Sequence, residues 1–187
     1  MNTGTLEPQS TAISVRPQFA RAAAYRTVML DARYVPAMDR LQTRCGTDNV
    51  VPRDSAYYAA HFAAAQGAVG IVDEQGALVA HALIRNKGTD TTMLNVLVDP
   101  EHRGQRLHNR MIAAWLENAS DAGLLTASAR VRTTAVASFK NFSTAGFETI
   151  REEPSPEAPH EMTHVMQKAL PGKTPHLSLV EQCKSPV

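Results

Sequence analysis

Six residues, Glu101-His102-Arg103-Gly104-Gln105-Arg106, stand where one apolar pattern gives way to another. Before them, Met93, Leu94, Val96, Leu97 and Val98 form a short, nearly continuous apolar run. Such a run suits a strand buried on both faces. After them, Leu107, Met111, Ile112, Trp115, Leu116 and Ala119 recur at helical spacing. Asp99-Pro100 ends the strand, because Pro100 has no N–H to give a ladder. The chemistry of such a junction is anion binding. The first turn of a helix leaves N–H groups unpaired and carries partial positive charge, and the connection adds basic side chains.

The elements that must position this junction can be read in order. Tyr25 to Leu30 has the β-branched and aromatic content of a first strand. Asp31 is placed to cap a helix running to about Arg44, with Val35, Met38 and Leu41 on one stripe and Gly46 as its stop. A second helix, capped near Asp54 or Ser55, carries Tyr57, Tyr58, His61, Phe62 and Ala65 before Gly67. The period then becomes two. Ala68–Val72, a turn at Asp73–Gly76 and Ala77–Arg85 read as a hairpin. Strict alternation puts Leu78, Ala80, Ala82 and Ile84 on one face of its second arm, and Val79, His81, Leu83 and Arg85 on the other. Beyond the long helix come a strand at Leu124–Val131, a short helix at Ala135–Ala145 and a strand from Phe147 to Ile150. A proline-containing loop spans 153–160, and Glu161–Leu170 is the last strand. The order implies an α/β (α+β) chain with a mixed central sheet of about six to seven strands and about four helices. Residues 1–23 are expected to be a flexible leader, 24–170 one domain and 171–187 a tail.

Bulk properties narrow the functional classes. The formal charge of +1 gives no global field toward nucleic acid or an anionic membrane. The basic run His102–Arg110 has no second basic stripe to support nucleic-acid binding. Two cysteines, Cys45 and Cys183, do not make a disulfide framework, and no apolar run is long enough to span a bilayer. A cytoplasmic protein, monomeric or homodimeric, is the expectation. The seven histidines are scattered without metal-ligand spacing, so no metal is expected. No serine sits in a nucleophile elbow.

Two motifs together resemble a known family. The run Val96-Leu97-Val98-Asp99-Pro100-Glu101-His102-Arg103-Gly104-Gln105-Arg106-Leu107-His108 resembles the acyl-CoA binding motif of the GNAT-type N-acetyltransferases, Gln/Arg-x-x-Gly-x-Gly/Ala opening a long helix. Ser138-Phe139-Lys140-Asn141-Phe142-Ser143-Thr144-Ala145-Gly146-Phe147 is similar to that family's second CoA-side helix, which typically closes in Gly-Phe. The resemblance covers roughly residues 25–170 and implies the GNAT fold with acetyl-CoA as co-substrate. It implies that Arg103, Gly104, Gln105, Arg106, Leu107 and His108 hold the pyrophosphate, mainly through backbone amides. It also implies that main-chain groups of Val96, Leu97 and Val98 pair with the pantetheine arm, with an N–H near Leu97 polarising the thioester. Ser138, Asn141 and Phe142 fall on the CoA side of the second motif. Three departures stand out. Arg106 and His108 occupy the two glycine positions, Phe142 stands where relatives carry a tyrosine that protonates the departing thiolate, and Ala135 replaces a helical asparagine.

The resemblance implies transfer of acetyl from acetyl-CoA to an amine, of a small molecule or a peptide, in a ternary complex. The acceptor ammonium titrates near 10, so attack needs a base or an ordered water. Family members often place a glutamate on the central strand. Here that strand offers Asn95, and the neighbouring strand offers His81, with His61 as a further imidazole. His81 and Asn95 are therefore the candidate catalytic residues. The competing reading is a degenerate acyl-CoA-binding module without turnover. Acceptor choice is expected to lie in the loops around 44–58 and 151–163, which carry no motif.

Overall fold

The computed structural model describes residues 25–46 and 51–171. The expected leader, and all of the tail but Pro171, lie outside the described residues. Among the described residues seven strands form one sheet in the order β1-β2-β3-β4-β5-β7-β6. They are β1 (Arg26–Leu30), β2 (Gly67–Val72), β3 (Leu78–Lys87), β4 (Asp90–Val98), β5 (Thr126–Arg132), β6 (Glu148–Pro154) and β7 (Met162–Ala169). The β4–β5 pair is parallel and every other pair is antiparallel. Helices α1 (Val35–Cys45) and α2 (Ser55–Ala63) cover one face, while α3 (Leu107–Asp121) and α4 (Val136–Thr144) cover the other. The expected mixed sheet with four helices is what the described residues form.

Local chemistry explains the boundaries. Asp31 accepts from the Arg33 N–H and opens a single 3-10 turn before α1, and Gly46, at φ 63°, ends that helix. Asp54 caps α2 by accepting from the Tyr57 N–H at 2.8 Å. In the β2–β3 turn the Asp73 carboxylate accepts from the N–H groups of Gln75 and Ala77, and Gly76 supplies a φ of 79°. On α3 the stripe Leu107, Met111, Ile112, Trp115 and Ala119 is buried, as its spacing predicts.

Two expectations need correction. Strand β6 continues to Pro154, past the predicted end at Ile150, because β7 pairs with it as far as Pro154↔Met162. Its position at the sheet edge is what tolerates the proline. The strict alternation on β3 also fails. A register shift opposite Ile71 and Val72 inserts one residue, so Val79 joins Ala80, Ala82 and Ile84 on the α3 side while Leu78 turns to the α1–α2 side.

The α3-side core is closed by Trp115, which stacks on Phe147 with ring centroids 5.8 Å apart. Its Nε1–H donates to the buried hydroxyl of Thr91 at 2.9 Å. Replacing Thr91 by valine keeps the shape and removes the acceptor. That change is expected to destabilise the fold by about 1–3 kcal/mol, the penalty of an unpaired buried donor, measurable by urea unfolding. A Trp115→Phe change should then cost less in the Thr91→Val background than in the wild type.

Candidate functional site

The central strand divides into two parts. From Asp90 to Met93, β4 pairs with both β3 and β5. Beyond the Met93↔Ala129 pair, β5 diverges from it. The pairing with β3 changes register between Leu94 and Leu97, so Ala82 faces two residues, Asn95 and Val96. Asn95 takes a φ of 46° at this bulge. Asparagine is among the few side chains that reach the left-handed region at modest cost. The bulge lets Leu94 and Leu97 both pack toward α1 and α2, while Val96 and Val98 face α3.

A cavity of about 290 Å³ opens where the two strands part. Asn95, Val96, Ser138 and Phe142, all singled out from the sequence, line it. Leu97 is buried among the α1–α2 side chains, and the Val98 carbonyl accepts from Arg103 Nε at 3.2 Å. Arg103 thus folds back over the end of the strand. Gly104 has a φ of 77° and open space where a Cβ would stand. Arg106 caps α3 in the left-handed conformation, φ 56°, which is the backbone need that a glycine there would meet. Its side chain is exposed. The first intrahelical bond of α3 runs from the Arg110 N–H to the Arg106 carbonyl at 3.2 Å, so the N–H groups of Leu107, His108 and Asn109 have no partner within the helix. With the free edge of β4, these donors leave unpaired main-chain groups on both sides of the junction.

His108 does not point into this anion cradle. Its ring is buried against α4, edge-on to Phe142 with centroids 5.2 Å apart, and its Nδ1 accepts from Asn141 Nδ2 at 3.1 Å. That bond leaves the proton on Nε2. Burial pulls the ring's pKa down to about 4. The two predicted residues His108 and Asn141 are therefore joined to each other, away from the cavity lining.

His81 and Asn95 are linked through one tyrosine. The Tyr58 hydroxyl accepts from Asn95 Nδ2 at 3.2 Å and lies 3.3 Å from Gln42 Oε1. Burial pushes its pKa up to about 12, against a lowering by the Asn95 hydrogen bond. The His81 ring packs edge-on to Tyr58, centroids 5.4 Å apart, with no solvent exposure, and neither ring nitrogen has a hydrogen-bond partner among the described residues. Desolvation brings its pKa down to about 3. His61 is buried too, with Nε2 donating to the Gly67 carbonyl at 2.8 Å. Of the tyrosine pair on α2, Tyr57 lines the cavity and Tyr58 is core.

The sequence reading did not single out the cavity's charges. Arg53, Arg85, Arg130 and Arg132 line it with Glu157. The signal was present in part, since Arg130 and Arg132 sit two apart on a strand and must share a face. Among the described residues no group of histidine, cysteine or acidic side chains is placed to hold a metal, and no helix is long and apolar enough to cross a membrane.

A family profile described as the acetyltransferase (GNAT) family matches residues 35–147. No curated protein matches the chain. Among solved structures, the ribosomal-protein-S18-alanine N-acetyltransferase from Escherichia coli is similar with a TM-score of 0.70 at 17% identity, covering 82% of this chain and 98% of that one. A phosphinothricin acetyltransferase from Sinorhizobium meliloti, in complex with acetyl-CoA, gives a TM-score of 0.68 at 15% identity, covering 79% and 89%. The ribosomal-protein-S5-alanine acetyltransferase from Vibrio fischeri gives 0.67 at 12%, covering 78% and 93%. At these identities the structural likeness is one of fold.

The two buried imidazoles dictate a pH response. Unfolded, each takes a proton near pH 6.5, whereas folded they resist protonation down to about 3 and about 4. The unfolded state therefore binds more protons below about 6.5. Stability is unaffected by these rings above that pH and falls as pH drops toward the folded values, by about 1.4 kcal/mol per unit for each ring. Urea midpoints between pH 8 and pH 5 should show this decline, and His81→Phe should remove roughly half of its slope.

Proposed function

The chain belongs to the acetyltransferase (GNAT) family, and from that premise we propose that it transfers an acetyl group from acetyl-CoA to the amine of a small molecule. The observation that carries this reading is the free edge of β4 beyond Met93, which opens onto a cavity at the Asn95 bulge. A bound acetyl-CoA would bring the activated acyl group to that cavity. Its pantetheine amides would pair with β4 main chain at Val96 as an added pseudo-strand. Its pyrophosphate would meet the Gly104–Arg106 connection and the first-turn amides of α3. The N–H near Leu97 is the proposed donor to the thioester oxygen, where charge grows during attack.

Direct transfer in a ternary complex fits a cavity whose lining has no cysteine and no histidine to activate the Ser138 or Ser155 hydroxyl. Asn95, on the cavity wall, would orient the acceptor amine or a water that takes its proton. His81 was the other candidate. It is enclosed beneath Tyr58 and has little proton affinity at neutral pH, so our reading gives the proton to water and leaves His81 to packing. Phe142 has no proton to give, and water again serves the departing thiolate. A binding module without turnover is the second reading, favoured by that phenylalanine on the cavity wall.

Thiol release from acetyl-CoA with an amine panel distinguishes the two. Initial rates should give intersecting lines as both substrates are varied. Tight CoA binding with no thiol release across the panel would select the binding module instead. Gly104→Val forces a β-branched residue into a φ of 77°. It should raise KM for acetyl-CoA about ten-fold, with a smaller effect on the acceptor.

A further inference from the structure

The acceptor end of the cavity carries an unusual charge pattern for a site that takes an amine. Four guanidinium groups line it, from α2's approach (Arg53), from β3 (Arg85) and from β5 (Arg130 and Arg132), against one lining carboxylate, Glu157. Three of the four have carboxylate partners. Arg53 pairs with Glu157, Arg130 with Glu153 at 2.7 Å and Arg132 with Glu161 at 3.0 Å. Arg85 is exposed, and among the described residues it has no carboxylate within salt-bridge distance. The buried Nε of Arg53 has no hydrogen-bond partner among the described residues, while its guanidinium sits 4.3 Å above the Tyr57 ring.

An ammonium that enters alone meets like charge here. An amine that also carries an anion does not, because a guanidinium presents paired donors that match a carboxylate. The same field disfavours the charged form of the amine once the anion is anchored, which helps to free the attacking lone pair. We infer that the acceptor is a small amino carboxylate, such as a free amino acid, whose anionic group docks on Arg85 while its nitrogen points to the Asn95 bulge. This rests on the proposed transfer reaction for the identity of the reacting amine. The anion site itself stands on the arginines alone.

The test compares N-acetylated glycine, leucine and phenylalanine with their primary amides, titrated calorimetrically into the CoA-bound full chain. The acids should bind at least ten-fold more tightly than the amides. Arg85→Gln should erase that preference and Arg85→Lys should keep part of it, with urea midpoints unchanged because the side chain is exposed. In turnover, Arg85→Gln should raise the acceptor KM roughly ten- to hundred-fold, the loss expected for one charge-assisted partner, and leave KM for acetyl-CoA within about three-fold. Equal binding of acids and amides, no binding of any acid, or an equal loss for both in Arg85→Gln would overturn the inference. So would faster acetylation of C-amidated peptides than of free amino acids. Preference for the acids without thiol release from any amine would instead overturn the transfer reaction and leave the anion site standing.

Discussion

One extra residue in β4 governs what this molecule can do. A sheet that stayed in register would pair β4 with β5 along its whole length and leave no main-chain group for a ligand. The bulge at Asn95, at φ 46°, ends that regularity opposite Ala82, and pairing with β5 stops at Met93↔Ala129. A left-handed residue within a strand costs free energy, so something must hold it there. The Asn95 side chain is tied to the Tyr58 hydroxyl, which reaches Gln42, whose Nε2 donates to the Gly46 carbonyl at the end of α1. The cavity, the unpaired strand edge and the placement of α2 thus share one buried polar chain. In a low-dielectric interior such a chain is stable when its members are paired, and costly when one is removed.

The start of α3 meets a similar demand by a different route. Its cap must be left-handed, and Arg106 takes that conformation at a cost of roughly 1–2 kcal/mol that a glycine would escape. Two helical positions further on lies His108. Its side chain is drawn off into the α3–α4 contact by Asn141 and Phe142, so the helix start keeps its backbone donors open despite the added bulk. The imidazole is a poor fit as a surface charge and a good fit as a neutral wedge between two helices. Backbone, rather than side chain, is what the junction presents to an anion.

The fold was legible because it rests on period and punctuation. The stripe on α3, the caps at Asp31 and Asp54, and the stop at Gly46 are local, and local signals survive in one dimension. What was not legible depends on register. Neither β3's change of face near Val79 nor the extra residue at Asn95 has a composition signature, since each is fixed by the neighbouring strand. His81 illustrates the consequence. Its place on β3 was read correctly as a sheet face, yet only the packing of Tyr58 over it decides that the ring is sealed. Arg53, Arg85, Arg130 and Arg132 come from three separated stretches, and only the folded sheet gathers them.

That separation has a functional meaning. In the proposed reaction the cofactor would meet main-chain donors and acceptors on β4 and at the start of α3, which most side-chain substitutions leave in place. The acceptor would meet side chains on α2's approach, on β3, on β5 and in the segment after β6. Arg85 and Arg130 can change without disturbing the bulge, because both are exposed and stand outside the core clusters. On that reading, cofactor recognition is tied to topology and acceptor recognition to a few replaceable charges. The three arginine–glutamate pairs at the cavity fit this division. Partly exposed ion pairs add modest stability, so their main value lies in holding guanidinium groups in fixed positions around the place where β4 and β5 part.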